Sequence, residues 1–323
     1  MTTSVAMCTY NGEKFLQPQL DSILNQSVQV DEIVVCDDGS TDSTMKILED
    51  YATKYPKIFR IYQNAENLRS VKNFEKAISL CSNDIIFLSD QDDIWLPEKV
   101  KKMVQYFMHH TGISVLCTNG FGIDEANNIL DVITIWDAPE LVRQSGGRFD
   151  YFEILSRIEN FATGATMAIR KKYLKEIIPF PLLEGFHHDE WIALISASQR
   201  KIEILDEKLF KYRVHNQQLV GGVFYKNSKK QKKRMTNCFS IYNEKKDFTT
   251  YKKLLKRLST SHKKYKNLEQ KSVIQQEFIK NEKQNIENLF NEMKKTMRKK
   301  YPISSVLLQI SDTFTNKRRI VNE

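Results

Sequence analysis

Three short stretches of this sequence gather groups able to hold a phosphorylated ligand and a hard cation. They are Thr9-Tyr10-Asn11-Gly12, Asp37-Asp38-Gly39-Ser40-Thr41-Asp42 and Asp90-Gln91-Asp92-Asp93. Clustered carboxylates repel one another and are costly to assemble unless a cation neutralises them. Hard oxygen ligands suit Mg2+ or Mn2+, which takes one or two carboxylates and completes its shell with substrate phosphates. A diphosphate bridged to protein by metal is the chemistry these residues imply. The two acidic stretches also have a plainer reading. Asp90–Asp93 is an acidic turn ahead of a helix, where negative charge favours the helix N-terminus. Asp37–Ser40 is a turn with a helix cap.

The elements that position them follow from hydropathy. Apolar runs at Ser4–Cys8, Glu32–Cys36, Ile58–Tyr62 and Asp84–Leu88 predict strands, with helices near Glu13–Asn25, Asp42–Tyr55, Val71–Cys81 and Pro97–His109 between and after them. This alternation predicts an α/β fold, a Rossmann-like, mostly parallel sheet with helices on both faces. In such a sheet, ligands collect beyond the carboxyl ends of the strands, which is where all three polar stretches fall. Ile113–Thr118 and Gly164–Ile169 extend the sheet, and 120–150 reads as a loop-rich, acceptor-facing segment. A helix over Asp189–Gln199 and two short strands, Ile202–Leu205 and Leu209–Tyr212, complete this region.

Charge divides the chain. Residues 1–224 hold 23 Lys and Arg against 31 Asp and Glu, whereas residues 225–323 hold 26 against 9, a net charge of +17. The sequence thus predicts a catalytic domain over 1–222 and a basic α-helical C-terminal extension over 223–323. In the extension, Leu254, Leu255, Leu258, Tyr265 and Leu268 recur at helical spacing, and Lys229–Arg234 and Lys317–Arg319 form cationic clusters. Basic segments bind any polyanion. An anionic membrane surface, an oligomer contact and a plain solvated extension are the readings for this one, with no nucleic acid expected. Five widely spaced cysteines without a C-x-x-C pair, and no leader-like start, favour a cytoplasmic chain, peripheral on the inner face of the membrane if it meets one.

Five ordered motifs resemble glycosyltransferase family 2 with the GT-A fold, and within it the bacterial rhamnosyltransferase-like branch. They are C-T-Y-N-G at Cys8–Gly12, D-D-G-S-T-D at Asp37–Asp42, S-D-Q-D-D-I-W-L-P at Ser89–Pro97, H-D-E-W at His188–Trp191 and Y-R-V-H at Tyr212–His215. The resemblance implies an inverting transfer of a sugar, rhamnose among the candidates, from a dTDP or UDP donor to a glycan or lipid-linked acceptor in cell-surface polysaccharide synthesis. It places Thr9, Tyr10, Asn11, Asp37 and Asp38 at the nucleotide, with Asn67 and Asn73 near it. Asp90, Asp92 and His215 would meet Mn2+ or Mg2+, and Arg213 a phosphate. Asp189 would be the catalytic base, with Glu190 the competing carboxylate and Trp191 beside it. A nucleotidyltransferase, which would show a Gly-rich phosphate loop, and a non-catalytic polyanion binder are the competing classes.

Overall fold

The computed structural model describes residues 1–215, 224–240, 247–272, 274–315 and 318–320; the expected boundary at 222/223 and Lys317 lie outside the described residues. In chain order the elements are β1 (Thr3–Thr9), α1 (Leu16–Leu24), β2 (Glu32–Asp37), α2 (Thr44–Lys54), β3 (Phe59–Gln63), α3 (Arg69–Leu80), β4 (Ile85–Ser89), β5 (Ile94–Trp95) and α4 (Lys99–His109). Then follow β6 (Val115–Ile123), β7 (Val132–Thr134), α5 (Ala138–Gln144), α6 (Tyr151–Arg157), β8 (Ala168–Arg170), α7 (Leu174–Ile177), α8 (His188–Ser198), β9 (Ile202–Arg213) and β10 (Phe224–Lys226). Four helices close the chain: α9 (Lys229–Phe239), α10 (Phe248–Lys271), α11 (Gln276–Lys300) and α12 (Pro302–Thr315).

These elements form two compact units. The first comprises residues 1–137, 162–180 and 186–227. Its main sheet runs β3-β2-β1-β4-β8-β6-β9-β5. β1 pairs in parallel with β2 and β4, β2 with β3, and β6 with β9, while β8 and β5 run antiparallel to their neighbours. Every residue of β2 and β4 is buried. Alternate side chains point to opposite faces, so both faces of the sheet are covered, as parallel pairing requires. The helices that cover it do so with stripes three and four apart, such as Leu16, Leu20 and Ile23 of α1 or Phe74, Ala77 and Ile78 of α3. This is the α/β architecture read from the sequence.

The segment 120–150, read as loop-rich, is more ordered than that. β6 continues through it to Ile123, β7 pairs with β10, and α5 follows. Glycines at 120 and 122 hide the strand pattern. They stand where a Cβ would lie 2.5 Å from the Phe210 ring and 2.6 Å from that of Phe224, so the strand needs them for close packing. The two strands expected over 202–212 are one, β9. The polar Asp206-Glu207 between them is absorbed as a bulge, with Leu205 opposite Thr118 and Lys208 opposite Asn119.

The second unit comprises residues 138–161, 181–185 and 228–323. The chain therefore does not divide at a single cut. α5 and α6, which the sequence assigned to the catalytic part, belong with the C-terminal helices. α10 and α11 pack together, with Leu254, Leu255, Leu258, Tyr265 and Leu268 buried on one and Ile279, Ile286, Phe290 and Met297 on the other. Ser228 and Asp247 cap α9 and α10 through the backbone N–H groups of Gln231 and Thr250. No helix among the described residues is long and apolar enough to cross a membrane.

Candidate functional site

The parallel register sets the rim. Thr9 at the end of β1 lies opposite Asp37 at the end of β2, and Met7 lies opposite Ser89, so the three polar stretches emerge side by side. Strand order changes direction between β1 and β4, the position at which open α/β sheets bind ligands.

Asp37 is fully buried and organises its own turn. Its Oδ1 accepts from the Thr9 hydroxyl at 2.8 Å and from the Ser40 hydroxyl, and its Oδ2 accepts from the backbone N–H of Ser40 at 2.9 Å. Asp38 ties β2 to the start of α3. Its carboxylate accepts from the N–H of Leu68 at 2.7 Å, from that of Arg69 at 2.8 Å and from the Asn64 amide at 2.8 Å. Of the two asparagines placed near the nucleotide, Asn67 donates to the Asp38 carbonyl at 3.2 Å. Asn73 is buried beneath the rim and donates to the Cys36 carbonyl at 2.9 Å, a strut for the site and not part of its surface.

Tyr10 is half exposed, and a reciprocal pair of hydrogen bonds with Gln91 fixes its backbone: its N–H donates to Gln91 Oε1 at 2.8 Å, and its carbonyl accepts from Gln91 Nε2 at 3.0 Å. Asn11, in the left-handed region at φ 48°, donates its N–H to the Ser40 hydroxyl and accepts from the N–H of Thr41. The first two motifs are thereby sewn into one platform.

Beyond β4 the acidic residues crowd. Burial, and then the charges of Asp92 and Asp189, push the Asp90 carboxyl up to about 7. Burial likewise raises Asp93, which accepts the N–H of Arg213 at 3.2 Å. His215 Nε2 lies 2.8 Å from Asp92 Oδ2, and its ring rests against Phe15. Arg213 is buried and spans the motif: its Nε donates to the Asp92 carbonyl at 2.8 Å, and its Nη1 donates to the carbonyls of Asp124 and Glu125 at 3.2 Å. These bonds hold the acidic turn in place, with phosphate the further partner that the sequence suggests for this guanidinium.

Asp189 lies in the first turn of α8, whose cap is His187. It is half-buried, whereas Glu190 is buried. The Gly164 N–H donates to Asp189 Oδ2 at 3.0 Å, and the Glu190 N–H donates to Oδ1 at 2.6 Å. Burial pushes its carboxyl up to about 6. Trp191 is core: its indole N–H donates to the Ile177 carbonyl at 2.8 Å.

Two contributors escaped the sequence reading. Lys99 is fully buried, donates to the Ala165 carbonyl at 2.8 Å and lies over the Trp95 ring; burial pushes it down to about 7 while Asp93 and Asp90 pull it up. Its signal was its place on the same stripe of α4 as Met103 and Phe107, four and eight residues on. Gly164 is the other, because a Cβ there would lie 3.0 Å from His188 Nε2. Among the described residues, no three His, Cys, Asp or Glu side chains are grouped as a formed metal site.

Comparison with known proteins agrees with this architecture. The chain is 30% identical over 216 residues to an uncharacterized glycosyltransferase of Methanocaldococcus jannaschii, covering 66% of this chain and 71% of that one. It is 29% identical to the dTDP-rhamnosyl transferase RfbG of Shigella flexneri, over 67% and 74% of the two chains. Among solved structures, S. aureus TarS residues 1–349 in complex with UDP-GlcNAc superposes with a TM-score of 0.52 at 19% identity, covering 91% of this chain and 81% of that one, a likeness of fold. The family model described as Glycosyl transferase family 2 matches residues 4–178, from β1 through the acidic turn to α7, and the chain belongs to that family.

Proposed function

We propose that this glycosyltransferase moves a sugar from a nucleoside diphosphate donor to an acceptor hydroxyl by a single inverting displacement, with Asp189 as the base. The observation that carries the reading is the Asp189 carboxylate itself. It is half-buried, oriented by the Gly164 N–H, and near enough to Asp90 to raise that group's pKa. The acceptor oxygen attacks sugar C1 as its proton passes to Asp189, and the bond from C1 to the diphosphate oxygen breaks on the opposite face. Tyr10, Asn11 and Asp38 would receive the nucleotide. A pyrimidine is favoured, since the names of the relatives above specify dTDP for one and UDP for another. Rhamnose as the sugar rests on the dTDP-rhamnosyl transferase above and on the motifs, and surface polysaccharide as the destination on the motifs alone.

The acidic turn fits a divalent cation. Asp90 is driven toward protonation by burial and then by its anionic neighbours, and with Asp92 and His215 it offers the hard oxygens and imidazole that Mn2+ or Mg2+ accepts. When bound, the ion would neutralise charge on the departing diphosphate. Arg213 holds the ligand-bearing turn through Asp92 and Asp93, and the charge of Lys99 favours the ionised form of Asp90 and Asp93. The lipid-linked acceptors of such reactions lie at membranes, which gives the basic segment 225–323 a partner in an anionic lipid surface.

The test is Asp189→Asn, which keeps the shape of the side chain and removes the base. Transfer should fall by about three orders of magnitude or more, with affinity for the nucleotide sugar retained in a thermal-shift titration. Turnover at the wild-type rate would move the base to Glu190 or elsewhere.

A further inference from the structure

Helix α12 is built the wrong way round for a helix in water. Among its described side chains the buried positions are polar: Ser305 is 3% exposed and Asp312 8%. Four of its large apolar side chains face out, with Ile303 79%, Leu307 64%, Val306 59% and Ile310 53% exposed, while Leu308 is half-buried. These four fall at i, i+3, i+4 and i+7, so they form one stripe. The inward face is fixed by specific bonds. The Ser305 hydroxyl donates to the Met297 carbonyl and Arg318 pairs with Asp312, while at the exposed margin Arg298 donates to Gln309 at 2.7 Å. The orientation is therefore set by polar contacts that a rotated helix would lose.

We infer that this stripe is the element that enters an anionic bilayer surface, with α12 lying in the plane of the headgroups. The partner rests on the membrane reading of the basic segment proposed above; the element and its orientation do not. Fourteen residues make a helix of about 21 Å, too short to span a bilayer and suited to lying in its interface. Charge selects the occupant. Exposed Lys295, Arg298, Lys299 and Lys300 end the preceding helix, and exposed Arg319 follows α12. A second copy would bring two segments together that each carry 26 basic against 9 acidic residues, whereas anionic headgroups complement them. Apolar insertion and cationic attraction are the two signals that stable surface binding needs.

The test uses the full-length chain and vesicles of phosphatidylcholine with or without phosphatidylglycerol. Wild type should co-float with the anionic vesicles only. Val306→Asp with Leu307→Asp should weaken that binding by at least about tenfold, leaving transfer to a soluble acceptor unchanged. Leu307→Trp should show a blue-shifted emission on addition of anionic vesicles and none with neutral ones. If the double variant binds like wild type and the Trp emission does not move, α12 is not the inserted element, even where Lys299→Glu with Lys300→Glu releases the protein and the membrane reading stands. If no variant and no wild type binds, both fall. A particle mass in lipid-free buffer that halves in the double variant would assign the stripe to a second copy and overturn the inference.

Discussion

At the scale of single residues, the candidate site gathers carboxylates whose charge burial makes costly. Asp189 illustrates the consequence. With its carboxyl pushed up to about 6, the proposed base is protonated below that pH and unable to accept a proton. The transfer rate should fall about tenfold for each pH unit below that value and level off above it; a profile flat from pH 5 to 8 would remove Asp189 from the mechanism. The stability effect has the opposite sense. Between the ordinary aspartate range near 4 and about 6, the folded state holds a proton that the unfolded state has lost, so raising pH across that window costs stability. Asp189→Asn should flatten that slope in urea titrations. Asp92→Ala should abolish the dependence of donor affinity on Mn2+; calorimetric affinity that is equal with and without the ion, in wild type as well, would remove the metal. Gly164→Ala places a methyl 3.0 Å from His188 Nε2, so either the imidazole gives or the backbone whose N–H orients Asp189 shifts; the second outcome is expected, because the ring is packed against Phe74. The substitution should lower kcat with little change in donor KM, a split that crystallography of the variant can match to a shifted carboxylate.

At the scale of elements, what the sequence disclosed depended on whether an element carries its own period. β1, β2 and β4 alternate cleanly with amphipathic helices, so the sheet, its rim and the polar groups at the rim were readable from residues alone. β6 beyond Thr118 was not, because Gly120 and Gly122 make room for the Phe210 and Phe224 rings and leave no apolar pattern. The roles of Asn73 and Arg213 were hidden for a related reason. A buried amide and a guanidinium that hold backbone carbonyls have the composition of ligand-binding groups, and only their tertiary partners distinguish them. α6 and α11 show the same concealment. Glu282 looks like one charge among many in a basic helix, yet it is buried, accepts from Arg157 Nε at 2.8 Å and from the Ser156 hydroxyl at 3.1 Å. Removing one partner of a buried pair strands the other. Glu282→Ala should therefore destabilise the helical unit by about 3 kcal/mol, read as a lower urea midpoint, while Glu287→Ala, half-buried on the same helix, should cost far less.

For the molecule as a whole, the partition of charge and the partition of structure are not the same cut, and this decides how the chain can be dissected. The basic segment begins near residue 225, but the unit it belongs to also takes in residues 138–161. There, Ile154, Leu155 and Phe161 are buried, the Ser156 carbonyl accepts from the Ser261 hydroxyl at 2.7 Å, and the Phe161 ring meets that of Phe239 edge-on. A chain ended at residue 224 would keep α5 and α6 and lose the helices that cover them, exposing several large apolar side chains at roughly 1.5–3 kcal/mol each. Such a fragment should melt well below the full chain in calorimetry and be cut by protease within 138–161 before its sheet is attacked. An unchanged melting temperature, with 138–161 resistant, would show that those helices fold on the catalytic part alone. Because the truncation removes both charge and core, failure of the fragment to bind vesicles says nothing about lipid. The substitutions on the exposed stripe of α12 separate the two, since Val306 and Leu307 contribute little to any core that unfolding would expose.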